Sequence, residues 1–372
     1  MLSGVIETFC GRTSRDASVP GIDGLRCYAA LLVILAHSHL VAPGWGATGV
    51  FLFFVLSGML LTPSLVKAYK SPVIPREVFA YLVRRIFRIM PAFIFVAAVF
   101  CAVIWVPKAS VFNYKLFWQL VTFKYALWHF WTTKIEMLLY LALPVVVGAL
   151  VFLRGWRLAL GLAIVVAGTY LATEYWKLIV LVVSPKAEMP FRVTPFFLGM
   201  AIAFVSPTIS EGTRKVCFWV GVVGLAALSA DTPPLLAMRQ AIGLNGITLP
   251  WDWSGLIYPF AALTVFGAVG DKSLLLNNRV VQTIGVVGFS VYLWQSFVLY
   301  LLRKYGLEDP SLLFLAALPL ILLLSVLTYN FIELPGQRLG SKISRKIVRR
   351  GPSVQTIGAS KPPLAAGSIV GS

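Results

Sequence analysis

Charge is scarce in this sequence. Only 12% of its 372 residues are charged and only 14 are acidic, whereas 59% are hydrophobic. A soluble domain carries about twice that share of charge, so the composition excludes an ordinary globular protein and indicates a polytopic membrane protein. The four cysteines (Cys10, Cys27, Cys101, Cys217) form no CxxC pair, which argues against a disulfide framework or a zinc site. There is no HExxH, GxSxG, Walker loop or strand-linked GxGxxG, so metalloprotease, serine-hydrolase and nucleotide-fold chemistry find no support. Residues 1–20 lack an apolar core before a cleavage site; the expectation is no cleaved signal peptide, with the first span acting as the signal. The net charge of +18 points to lysine and arginine retained on one membrane face rather than to nucleic acid.

What is abundant is apolar runs. Stretches near spanning length fall at 22–41, 47–66, 91–107, 137–153, 157–173, 193–206, 215–230, 254–270, 284–302 and 311–332, which predicts about ten transmembrane helices. Segment 112–131 is aromatic but holds Lys115 and Lys124, which favours an interfacial helix over a span. With both termini in the cytoplasm, 21 basic residues fall inside and 10 outside, the bias expected of a correct topology. The fold class is therefore an all-α polytopic membrane helix bundle. A cytoplasmic segment, 1–21, leads a transmembrane domain, 22–336. A basic and then disordered cytoplasmic tail, 337–372, follows, with Pro335 expected to end the last span.

Ionisable residues inside such spans are costly and mark candidate sites. In the first span Arg26 and His37 are eleven residues apart, about three turns plus 20°, so they share a helix face about 16 Å apart along the axis. Asp23 can pair with Arg26 at i,i+3. A snorkelling arginine and a helix-end histidine would give the same pattern. Before Pro91, expected at the first turn of its span, Arg84, Arg85 and Arg88 cluster. Three guanidiniums suit forked contacts to phosphate; a topology anchor on lipid phosphate is the alternative. In HFWTTKIEMLLYLALP, Glu136 either completes a Thr133-x-x-Glu136 capping box, orients a histidine or receives a sugar hydroxyl, and His129 is expected at the interface. Ser57-Gly58 interrupts an apolar helix, for close packing or to leave room for a ligand. Glu333 is expected to pair with a basic loop.

Taken together and in order, IDGLR…H, GVFLFFVLSGMLLT, RRIFRIMP, HFWTTKIEMLLYLALP, FSVYLWQ and IELP resemble the acyltransferase-3 family of integral-membrane acyltransferases. The resemblance implies about ten helices in a bacterial inner membrane. It implies acetyl transfer from cytoplasmic acetyl-CoA, a co-substrate rather than a bound cofactor, to a sugar hydroxyl. The acceptor classes are surface polysaccharide, lipid-linked glycan and nodulation-type lipochitooligosaccharide. The family's Arg–His pair falls on Arg26 and His37, its Arg-x-x-Arg element on Arg85 and Arg88 with Arg84 adjacent, and its Trp–Glu element on Trp131 and Glu136. Gln295 follows Trp294 where many members have histidine, so any role of that histidine is lost or passes to an amide.

The expected catalytic residues are thus His37 as general base, with Arg26, Glu136 and Asp23; the two carboxylates lie near opposite surfaces, so they cannot both orient His37. Arg84, Arg85 and Arg88 would hold the donor, Trp131, Ser57 and Gln295 the acceptor, and no metal would be involved. The expected partners are acyl-CoA, a carbohydrate or glycolipid acceptor and the bilayer; the oligomeric state is not legible. A sugar or lipid-linked-glycan transporter would also account for buried charge in ten helices.

Overall fold

A computed structural model describes residues 21–103, 113–125, 128–174, 192–205, 210–229 and 254–349. Every regular element among them is helical. In chain order these are α1 (Ile22–His37), α2 (Pro43–Tyr69), α3 (Ile74–Val103), α4 (Tyr114–Val121), a 3-10 turn (Trp128–Phe130), α5 (Trp131–Leu150) and α6 (Gly155–Glu174). Then come α7 (Thr194–Val205), α8 (Glu211–Ser229), α9 (Ser254–Ala268), α10 (Leu274–Asn277), α11 (Arg279–Val286), α12 (Gly288–Lys304), α13 (Pro310–Thr328), a π-helical turn (Tyr329–Glu333) and α14 (Leu334–Arg349).

Five of the described helices are long and apolar enough to cross a membrane: α2, α3, α5 together with its preceding 3-10 turn, α6, and the continuous run from α13 to α14. The pair α11–α12, bent by 75°, makes a sixth if taken as one broken span, and α7 and α9 are shorter apolar helices. This is a multi-pass, all-helical membrane architecture, and five or six is the number of spans that the described residues establish.

Two boundaries differ from expectation. The arginine segment 76–90 is not a loop before a span: α3 starts at Ile74 and runs through Pro91 without a break. Pro91 can donate nothing to the Phe87 carbonyl one turn back. Gly336 of α14 packs at that notch, where a Cβ would stand 2.8 Å from the Phe87 carbonyl oxygen and 3.0 Å from Pro91 Cγ. Pro335 does not end the last span either. It is the second residue after the π turn, inside the continuous helical run from Pro310 to Arg349. The basic tail is consequently helical to Arg349 and packs along α3 through Gly336 and Gly340; residues 350–372 lie outside the described residues, as do 1–20. Within 112–131, the described part contributes the eight-residue α4, too short to span.

Elsewhere small residues set the crossings. A Cβ on Gly58 of α2 would collide with the Phe196 carbonyl of α7, and one on Gly199 of α7 with the Val55 carbonyl of α2, so these two backbones touch directly. A Cβ on Gly285 of α11 would likewise meet the Asp23 carbonyl of α1. These contacts lock α1, α2 and α11 around the face that carries Arg26.

Candidate active site

The unbroken α1 holds Arg26 in its second turn and His37 at its last position, so the two stand about 16 Å apart along the axis. Two polar clusters form around them.

At the Arg26 end, Asp23 Oδ1 accepts from Arg26 Nη1 at 2.9 Å. The charge of Arg88 acts on Arg26, Arg85, Glu136 and Glu333, which gathers residues from α1, α3, α5 and the π turn into one place. Arg85 and Arg88 make no ion pair among the described residues, and Arg85 Nε is buried without a hydrogen-bond partner. Their neighbour Ile86 is 41% exposed, whereas Arg85 and Arg88 are half-buried. Arg84 lies instead near Glu77 and Tyr81, apart from Arg26 and Glu136.

Glu136 belongs to this end. Tyr140, one turn on, donates its hydroxyl to Glu136 Oε1, and Ser57 Oγ approaches the same oxygen at 3.4 Å. No capping box forms: α5 begins at Trp131, which places Thr133 inside the helix with its hydroxyl buried and unpartnered. Gly58 serves packing, while its neighbour Ser57 reaches Glu136. Trp131 is half-buried, edge-on to Phe54 at 6.5 Å.

At the other end, His37 Nδ1 lies 2.7 Å from Gln295 Oε1. An amide oxygen only accepts, so Nδ1 carries the proton and Nε2 of the neutral ring keeps a free lone pair. Gln295 is fully buried, and its Nε2 donates to Ser296 Oγ at 2.8 Å. Arg303 Nη2 donates to the His37 carbonyl at 2.6 Å. The His37 ring itself is exposed. The amide thus stands beside the imidazole that it orients.

His129 is not interfacial; it is 4% exposed. Its Nε2–H donates to the Leu293 carbonyl at 3.0 Å and its ring packs on Phe130 and Tyr292, so a carbonyl and aromatic faces replace water around it. Leu293 lies two residues before Gln295 on α12, which brings His129 to this end of the site. Sequence reading also passed over Tyr140, Tyr292 and Arg303. Tyr140 had a usable signal, because it stands at i+4 from Glu136 and so on the same helix face; Arg303 and Tyr292 are brought in by tertiary packing alone. Among the described residues no group of His, Cys, Asp or Glu converges to hold a metal ion.

With this geometry in place, similarity decides the family. The model of the acyltransferase-3 family's acyltransferase domain matches residues 19–330. The chain belongs to that family. Among curated relatives it is similar to the O-acetyltransferase OatA of Staphylococcus aureus strain NCTC 8325 / PS 47, with 25% identity over 360 residues covering 87% of this chain and 58% of the relative. OatA of S. aureus strain COL matches with the same identity and coverage. The chain therefore spans somewhat more than half the length of these relatives. No solved structure matches it.

One test of the His37 end follows directly. Gln295→Ala removes the group that fixes the imidazole, and acyl transfer should fall about 10- to 100-fold, the range for groups that orient a working histidine. Gln295→Glu retains an acceptor for Nδ1–H and should keep most of the activity. Initial rates of label transfer in membranes, normalised to protein amount, check both.

Proposed function

We infer that this acyltransferase-3 family protein is a membrane O-acetyltransferase, moving an acetyl group from acetyl-CoA to a hydroxyl of an envelope sugar. The observation that carries the reading is the pair of ends on α1. Two half-buried arginines without carboxylate partners stand beside Arg26, and a histidine with its Nε2 lone pair free stands three turns away.

The division of labour follows from chemistry. Coenzyme A has a phosphate-rich nucleotide and a long thin arm ending in the thioester. Arg85 and Arg88 suit the phosphates through forked, charge-assisted hydrogen bonds. The arm then runs along the Arg26–His37 face and brings the thioester to His37. His37 Nε2 accepts the proton of the acceptor hydroxyl as its oxygen attacks the thioester carbonyl. The tetrahedral intermediate expels the thiolate, which takes the proton from the imidazolium, leaving an O-acetyl ester and free coenzyme A. Glu136, held by Tyr140 and Ser57, stays with the arginines and keeps their end of the path polar.

In this reading the arginine end faces the cytoplasm of a bacterium, where acetyl-CoA is made, and the protein sits in the inner membrane. Arg84 adds positive charge at the entrance. The acceptor is a surface polysaccharide, a lipid-linked glycan or a lipochitooligosaccharide of the nodulation type. The relatives' printed name, O-acetyltransferase, supports acetyl as the group transferred.

Membranes containing the protein, incubated with acetyl-labelled acetyl-CoA, should place label in the glycan fraction in an alkali-labile form. Membranes lacking it should not. If the glycan crosses the membrane unlabelled, the protein is a transporter and the reading falls.

A further inference from the structure

Glu333 is the buried carboxylate that the transfer scheme does not use. It ends the π-helical turn Tyr329–Glu333, which interrupts an otherwise α-helical run from Pro310 to Arg349. A π turn inserts one residue and rotates everything after it, and such turns are frequent at functional sites. Here it swings Glu333 inward, where it is 1% exposed. Both carboxylate oxygens are held by neutral donors from two elements. Ser290 Oγ donates to Oε2 at 2.9 Å, and Gln337 Nε2 donates to Oε1 at 3.0 Å. Gly336, one turn on, is docked at the Pro91 notch of α3, which brings this turn against the helix that carries Arg88.

The charges acting on Glu333 are those of Arg88 and Arg26, yet neither forms an ion pair with it. A structural salt bridge would close that gap. What is built instead is a carboxylate clamped by two hydrogen bonds, near two guanidiniums but off them. It attracts their side chains while leaving the forked face of Arg88 free; Arg26 Nη1 is already paired with Asp23.

We propose that Glu333 is a positioning residue of the donor site, holding the Arg88 and Arg26 guanidiniums in place for the anionic part of the acyl donor. The inference rests on the donor reading of the arginine end given above. Its sign is diagnostic. If Glu333 merely offset positive charge, removing it would tighten binding of an anion. A positioning role predicts the reverse.

The test measures binding of labelled acetyl-CoA to the purified full-length protein at fixed ionic strength. Glu333→Gln should weaken binding about tenfold, roughly the weight of one charged interaction, and Glu333→Asp should recover part of it. Because Glu333 acts through Arg88, the double variant with Arg88→Gln should bind no more weakly than Arg88→Gln alone. Unchanged or tighter binding by Glu333→Gln overturns the inference, as do additive losses in the double variant. Should Glu333→Gln fail to accumulate, Ser290→Ala and Gln337→Ala each unclamp an intact carboxylate and should weaken binding in the same direction. No change in either overturns the inference equally. Wild-type protein that does not bind acetyl-CoA is a separate result, which removes the donor reading and this inference with it.

Discussion

Replacing His37 by alanine should reduce acyl transfer about 10²- to 10⁴-fold, the usual contribution of a positioned general base, without reducing the amount of protein in the membrane. His37 is the last residue of α1 and its ring is exposed, so truncation opens no core cavity. Its backbone carbonyl, the acceptor for Arg303, is untouched. Acetyl-CoA binding should change little, because the arginines lie about 16 Å away along the helix. Label transfer to glycan, an immunoblot of the membranes and acetyl-CoA binding together make the check. Full transfer activity would remove His37 from the chemistry. Equal loss of transfer and donor binding would place it in the donor site instead.

That separation of ends was legible in the sequence because α1 is one uninterrupted helix. Eleven residues of spacing translate directly into one face and a fixed rise when no proline or glycine breaks the segment, and Arg26 and His37 sit in such a segment. The same arithmetic fails at Pro91 and Pro335. A proline reads as a helix boundary, yet here a glycine from a neighbouring helix fills one notch, and the other proline lies just after a π turn, beside that same glycine, within a continuous helical run. Both exceptions depend on packing between α3 and α14, residues some 250 apart in the chain.

The candidate site divides along the same line. Asp23 with Arg26 was readable as an i,i+3 pair, and it forms at 2.9 Å. Gln295 could be recognised only as a departure from a family pattern. That its amide orients His37 depends on α12 lying against α1, 258 residues away in sequence. Glu333 carried a bland expectation, a salt bridge to a basic loop, since nothing in the letters marks a π turn. Its actual neighbours, Ser290 and Gln337, become visible only when the turn rotates it inward.

The second large effect belongs to the arginine end. Replacing Arg85 and Arg88 together by alanine should raise the acetyl-CoA concentration needed for half-maximal transfer by at least about a hundredfold, since truncating desolvated, hydrogen-bonded charges costs 2–5 kcal/mol or more. The maximal rate should fall much less, because His37 and Gln295 are undisturbed. A donor without phosphates isolates the cause. The thioester of acetate with N-acetylcysteamine lacks the nucleotide end, so its already weak use should be the same in the wild type and the double variant. The rival role, an anchor on lipid phosphate, predicts the opposite pattern: less protein inserted or an altered topology, and an unchanged acetyl-CoA requirement in what remains. The structure bears on that rivalry. On α3 the residues that meet the surroundings are Phe79, Ile86, Ile94 and Phe95, all more than a third exposed, whereas Arg85 and Arg88 share electrostatic neighbours with Arg26, Glu136 and Tyr140 inside the bundle. A lipid anchor gains by pointing outward to the headgroups; two half-buried guanidiniums with no carboxylate in contact, one of them over the Tyr81 ring at 5.7 Å, gain most when an anion enters between them.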